Sequence, residues 1–167
     1  MLAILNAMVA VTPAPLSLEH LIVQVEACVR TGGEGCGAVA SFLGLVRATH
    51  QGRSVRYLEY EAFDALALKA FQQIQQEAGQ QWPNSALGIV HRTGRLTVGE
   101  ASVAIVAATA HRAEAFQVCR YAIERVKQIA PVWKHEFFDD GEAWVEGALT
   151  DPFDEAARAR ALVIACA

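Results

Sequence analysis

Lysine is scarce in this chain: three of its 167 residues, against eleven arginines. A partly buried lysine can exchange its proton, whereas arginine effectively stays charged, so the places where lysine is kept deserve notice. Charge of either sign is thin as well. Charged residues make up 19% and the formal net charge is −4, which argues against the broadly basic surface of a general nucleic-acid binder. A local basic pocket for a small anion stays open. The four cysteines, Cys28, Cys36, Cys119 and Cys166, form no C-x-x-C pair and no His/Cys set with zinc spacing, so no metal is expected. A reduced, cytoplasmic protein is the simplest reading. Long apolar runs are missing too. Met1 to Val11 is too short to span a bilayer and lacks a cationic start, the first basic residue being Arg30; no membrane association is expected. It reads as a strand.

With 53% apolar residues the chain can fill a core, and its length suits one domain, 1–167. Ser17 precedes a helical repeat at Leu18, Leu21, Ile22, Val25 and Val29 and is its expected N-cap. Thr31 to Gly37 reads as a glycine-rich turn. It lacks the Lys-Ser/Thr and the following helix of a nucleotide loop. Ala38 to Arg47 reads as a strand, followed by a polar loop to Gly52. Ser54 to Glu61 alternates as a strand does. Asp64 is the expected cap of a helix ending near Gly79, and Trp82-Pro83-Asn84 is a turn. Leu87–His91 and Ala101–Thr109 read as neighbouring strands separated by turn glycines Gly94 and Gly99. A helix from about Arg112 to Ile129 is stopped by Pro131. Strands Val132–Phe138 and Ala143–Val145 flank Asp139-Asp140-Gly141, and a last helix starts after Pro152. Strand pairs mixed with separate helices favour α+β over a doubly wound sheet.

Two of the three lysines bracket one segment, Lys127-Gln-Ile-Ala-Pro-Val-Trp-Lys134, at a helix-to-strand junction. His111-Arg112 opens the same helix, where free N–H groups and the helix dipole favour anions and arginine offers a fork matched to phosphate. Each candidate has a plainer reading. His111-Arg112 could be an exposed pair that merely opens a helix. Lys127, at the margin of the stripe formed by Phe116, Cys119, Ile123 and Val126, could cover it with its stem. Lys134 shares a strand face with Val132 and Glu136 and could simply pair with Glu136. Arg47 ends an apolar strand, where an arginine is usually just solvated. Cys119 lies in the helix stripe and reads as core.

Several motifs in order resemble the large, catalytic subunit of molybdopterin synthase: Gly37-Ala38 leading to Phe42-Leu-Gly44-Leu-Val-Arg47; Leu58-Glu59-Tyr60-Glu61; His91-Arg92-Thr-Gly94; Val98-Gly99-Glu100; His111-Arg112-Ala-Glu-Ala-Phe116; Lys127 through Pro131-Val-Trp-Lys134-His-Glu136; then Gly141 and Trp144-Val145. The resemblance spans about 16–145. It implies an α/β-hammerhead type of α+β fold with antiparallel strand pairs and packed helices. It also implies conversion of cyclic pyranopterin monophosphate to molybdopterin, with two sulfurs delivered by a small ubiquitin-like partner bearing a C-terminal Gly-Gly thiocarboxylate. The implied assembly is a homodimer within a heterotetramer. The implied site residues are Lys127 and Lys134 as catalytic groups, with Phe42, Arg47, His111 and Arg112 binding substrate, and no cofactor or metal. The ending Ala165-Cys-Ala167 differs from Gly-Gly, so this chain is not expected to be the sulfur carrier. The sequence departs from the family pattern at Ala48 and His50, where many members have an asparagine-containing loop, and at Ala148, where some carry a basic residue. Rival readings are a non-catalytic anion- or pterin-binding module and a phosphate-ester hydrolase using His111. The hydrolase lacks a metal cluster or nucleophile dyad; the module does not account for the paired lysines. Finally, Arg112 and Lys127 lie about 22 Å apart on one helix at about 1.5 Å per residue. A single pterin site using both therefore implies two chains: Lys127, Lys134 and Arg47 from one, His111 and Arg112 from its twofold mate.

Overall fold

The apolar run Ala101–Thr109 forms the strand on which the helix-covered sheet of the protein is built. The computed structural model describes residues 8–30, 35–145 and 149–167. Among them lie β1 (Val9–Thr12), α1 (Leu18–Arg30), β2 (Ala38–Leu45), β3 (Thr49–His50), β4 (Arg53–Ala62), α2 (Asp64–Gln81), β5 (Ala86–Arg92), β6 (Gly94–Thr97), β7 (Ala101–Thr109), α3 (Arg112–Ile129), β8 (Val132–Phe138), β9 (Gly141–Val145) and α4 (Glu155–Cys166). One sheet has the order β1-β5-β7-β2, with β1 parallel to β5 and the other pairs antiparallel. The second has the order β3-β4-β8-β9, with β6 also on β4. This is the expected α+β, hammerhead-type arrangement of antiparallel strand pairs and packed helices.

Alternation along β7 explains the layers. Val103, Ile105 and Ala107 join the core beneath α2 and α3. Ala104, Val106 and Ala108 join a second core with Leu21, Val25 and Val29 of α1. Gly88 of β5 lets α1 approach closely. A Cβ there would lie 2.7 Å from Leu21 Cδ1 and Val25 Cγ2. The second sheet closes over Val46, Val55, Leu58, Leu96 and Phe138.

Most expected elements are present. Ser17 Oγ accepts from the His20 N–H, as an N-cap does, and α3 has the expected bounds. Four readings change. Asp64 is the first residue of α2 rather than its cap. Phe63 holds the cap position with no side-chain bond, its N–H donating to Pro131 O, and Asp64 instead meets the positive end of the helix dipole. The same helix runs on past Gly79 to Gln81, closed by the Trp82 N–H on Ala78 O. The stretch after Gly94 is a short strand, β6, with Leu96 fully buried; four residues are too few to show a period. The polar loop before Gly52 contains β3, turned into β4 through Gln51 (φ 49) and Gly52 (φ 77), the left-handed pair that tight hairpins demand. Residues 1–7 of the expected first strand, residues 31–34 of the glycine-rich turn, and Ala148 lie outside the described residues.

A buried ion pair joins α2 to α3. Arg125, fully buried, donates to both Glu77 oxygens at 2.8 Å, and Tyr121 donates to Glu77 Oε2 at 2.7 Å. Burial alone would raise the Glu77 carboxyl, but hydrogen bonds from Arg125, Tyr121 and Gln73 hold it below its ordinary value. Removing one partner strands a buried charge. Arg125→Ala is therefore expected to cost about 3–5 kcal/mol in urea denaturation, and the double exchange of Glu77 and Arg125 for methionine far less. Equal losses would show that the pair itself supplies the stability.

Candidate active site

The candidate residues fall into three groups within one chain. Phe42 projects from β2 toward α3, and its neighbours there are Ala40, Phe116, Ile123 and Lys127, around an open groove of about 520 Å³ that the end of α4 also lines. Phe42 is 36% exposed although it lies in a strand. Lys127 stands in the last turn of α3, where its charge suits the negative end of the helix. It is exposed and has no ion pair among the described residues. The apolar stripe read from the sequence is real at Cys119, Ile123 and Val126, which are buried, but Phe116 is 69% exposed. That exposure makes Phe116 part of the groove wall. Cys119 is core, its thiol pushed up to about 11 by burial.

Arg47 and Lys134 form the second group, with Tyr60, His50 and Glu136, around a crevice of about 50 Å³. Arg47 follows the buried Val46, whose backbone is tied to Glu100 O and Gly99 N, so the arginine leaves the sheet at a fixed point. Lys134 does pair with Glu136 on its own strand face: Nζ lies 2.6 Å from Oε1. Glu136 is only 1% exposed, and its other oxygen lies 2.5 Å from His50 Nδ1. Burial would raise the Glu136 carboxyl, but hydrogen bonds from Lys134 and His50 hold it below its ordinary value. The sequence reading treated Glu136 only as a plain ion-pair partner and His50 only as a departure. The signal available was a glutamate two residues after Lys134 on the same face of β8, ahead of the apolar pair Phe137-Phe138.

His111 and Arg112 are the third group. His111 is the N-cap residue of α3, without a side-chain cap bond, and sits beside Trp82, Thr109 and Glu114 at a cavity of about 170 Å³. Arg112 is exposed and engages no acid among the described residues. Gly37, at the approach to β2, presses against this end of the helix. Its N–H donates to Thr109 O at 3.0 Å, and a Cβ would lie 2.2 Å from Ala110 O. As α3 is one unbroken helix from Arg112 to Ile129, its first residue and Lys127 are about 22 Å apart, and this group does not meet the other two within the chain.

The family model described as MoaE protein matches residues 11–129. The chain belongs to that family. The match takes in Phe42, Arg47, His111, Arg112 and Lys127 and stops short of Lys134. A molybdopterin synthase catalytic subunit from Halalkalibacterium halodurans is 40% identical over 136 residues, covering 81% of this chain and 83% of the relative. One from Bacillus subtilis is 38% identical over 135 residues, covering 81% and 82%. The crystal structure of molybdopterin synthase from Staphylococcus aureus superposes with a TM-score of 0.76 at 35% identity, over 82% of this chain and 96% of that one. Members so named are sulfur-transfer enzymes of molybdenum cofactor biosynthesis, and that is the function class of this chain. No helix among the described residues is long and apolar enough to cross a membrane.

The Glu136 geometry carries a stability test. A carboxyl held below its ordinary value stabilises the fold above the unfolded-state titration, near pH 4.3, and that stabilisation is lost as pH falls through the folded value. Lys134→Met removes one of the two groups that depress it. The variant is expected to lose about 1–3 kcal/mol at pH 7, with the gap to the parent narrowing as pH falls below about 4.3. Urea denaturation at both pH values measures this; a gap independent of pH would mean that Lys134 acts only by packing.

Proposed function

We propose that this chain transfers sulfur from the thiocarboxylated Gly-Gly tail of a small ubiquitin-like subunit to cyclic pyranopterin monophosphate, forming the dithiolene of molybdopterin. The observation that carries the reading is the open groove joining Phe42 to Lys127, which leaves a lysine facing a space large enough for a pterin. A tail of two glycines lacks side chains and fits a narrow approach. Phe42 supplies an apolar wall for the pterin. Lys127 and Lys134 stabilise anionic oxygen or sulfur, or move protons while the cyclic phosphate opens. Arg47, His111 and Arg112 hold the phosphate. The name of the relatives, a catalytic subunit, supports a second chain as sulfur donor.

The separation along α3 supports a site shared by two copies of this chain. β2 is an edge strand of the four-stranded sheet, pairing only with β7 among the described residues. Its eight residues cover about 23 Å at roughly 3.3 Å per residue, close to the Arg112–Lys127 distance. Its first residues lie beside the start of α3, and Arg47 lies just past its end. Antiparallel pairing of two β2 edges about a twofold axis would bring His111 and Arg112 of one copy toward Arg47 and Lys134 of the other, twice per dimer.

Reconstitution with the thiocarboxylated partner and the pyranopterin tests the reaction. Dithiolene should form, and removal of the two terminal glycines from the partner should abolish it; full transfer by the trimmed partner defeats the reading. The shared site has its own test. Arg112→Ala and Lys127→Ala chains should each be inactive alone, and a mixture of the two should regain part of the activity, because one site of the mixed dimer is intact. Inactive mixtures containing verified heterodimers would place the site within one chain.

A further inference from the structure

We propose that His50 is a positioning residue whose protonation sets how firmly Glu136 holds Lys134. The proposal rests on the reading that Lys134 acts on the reacting groups, and it adds a control on that action. Glu136 has two carboxylate oxygens and gives one to each neighbour: Oε1 to Lys134 Nζ at 2.6 Å and Oε2 to His50 Nδ1 at 2.5 Å. With its side chain 1% exposed, Glu136 has little water to share its charge, so what one partner takes is felt by the other. The side chains of Lys134 and His50, 28% and 23% exposed, reach solvent on either side of it.

Imidazole is the side chain that ordinarily changes charge between about pH 5 and 8. Neutral His50 with its proton on Nδ1 is a simple donor, and the full negative charge of Glu136 faces the Lys134 ammonium. Charged His50 competes for that carboxylate, leaves the triad with a surplus positive charge, and loosens the lysine. The surroundings do not cancel the surplus. Arg47, past the end of β2, and Tyr60, on β4, line the same crevice, and Arg47 adds to the positive charge. Arg53 of β4 lines the opposite side with His50 and Glu136, but it is engaged by Asp140 at 2.8 Å and lies over the Phe138 ring at 3.7 Å. From β9, Ala143, Trp144 and Val145 reach this side and none of them titrates. Glu142 faces His135 instead, at 3.8 Å. The hairpin that carries His50 is short and fixed by its two left-handed turn residues, so the imidazole is delivered to Glu136 by backbone geometry.

The scarcity of lysine makes the test direct. Isotope labelling of lysine in the full chain gives three side-chain signals, and Lys134→Arg identifies the one sought. As pH is varied across the range in which the chain stays folded, the Lys134 signal should show an inflection that Lys69 and Lys127 lack. In His50→Gln, which keeps a neutral donor for Glu136, the inflection should vanish, and the pH dependence of kcat in sulfur transfer should lose the same step. His50→Asn serves as a second neutral variant should the longer amide disturb the fold. An inflection that persists in either folded variant, or its absence from the parent chain, overturns the proposal. The two readings fail separately. Full activity in Lys134→Ala beside an intact His50-dependent inflection would remove Lys134 from the reaction and leave the coupling standing.

Discussion

Burial of β7 on both faces is the constraint from which the positions of the basic groups follow. Helices can lie on both sides of this strand because the face toward α1 uses small residues, Ala104 and Ala108, around a single Val106, while Val103 and Ile105 fill the space beneath α2 and α3. β7 then passes into α3 within three residues, so the start of α3 is anchored at one end of the sheet. Its eighteen residues carry Lys127 to the far end. The gap between the arginine and the lysine is thus a property of the packed core and not of flexible side chains.

The basic residues differ sharply in how they are held. Lys127 and Arg112 stand exposed at the two ends of one helix, each free of acidic partners among the described residues. Lys134 is pinned to a buried carboxylate. Arg125 is wholly internal, joining α2 to α3 through Glu77 and reaching the Pro152 carbonyl ahead of α4 at 3.0 Å. A chain of net charge −4 therefore presents positive charge in a few places whose surroundings decide what each can do. Glu100, by contrast, is spent on local order. Its carboxyl is lowered to about 2 by the Thr97 N–H first and then Arg92 and the Thr97 hydroxyl, which fixes the turn leading into β7.

What could be read from the sequence was whatever depends on neighbours along the chain. Ser17 as cap, Pro131 as the stop of α3, and β5 beside β7 all follow from local chemistry and period. So did the likeness that placed the chain in its family, because the motifs keep their order and spacing. The site was legible as a set of residue types, and Lys134 with Glu136 was foreseen from strand alternation. His50 on the same carboxylate was not, since 86 positions separate them and they meet only through the Gln51-Gly52 turn together with the pairing of β4 with β8. β6 escaped notice because Gly94-Arg-Leu-Thr97 has no alternation to detect and exists through its pairing with β4. The Asp64 reading failed because Phe63 is held from outside, by Pro131, a contact that no local rule contains.

The outer edge of β2 has a consequence for a newly made chain. Its sequence, Ala-Val-Ala-Ser-Phe-Leu-Gly-Leu, holds no charge, no proline and no lysine, the usual guards against edge-to-edge aggregation. Apolar, uncharged stretches of this length are also those that stack into intermolecular β-structure when left open. An edge of this composition leaves a solitary chain open to unintended strand pairing. Production at low concentration follows as the condition under which such a chain stays in solution.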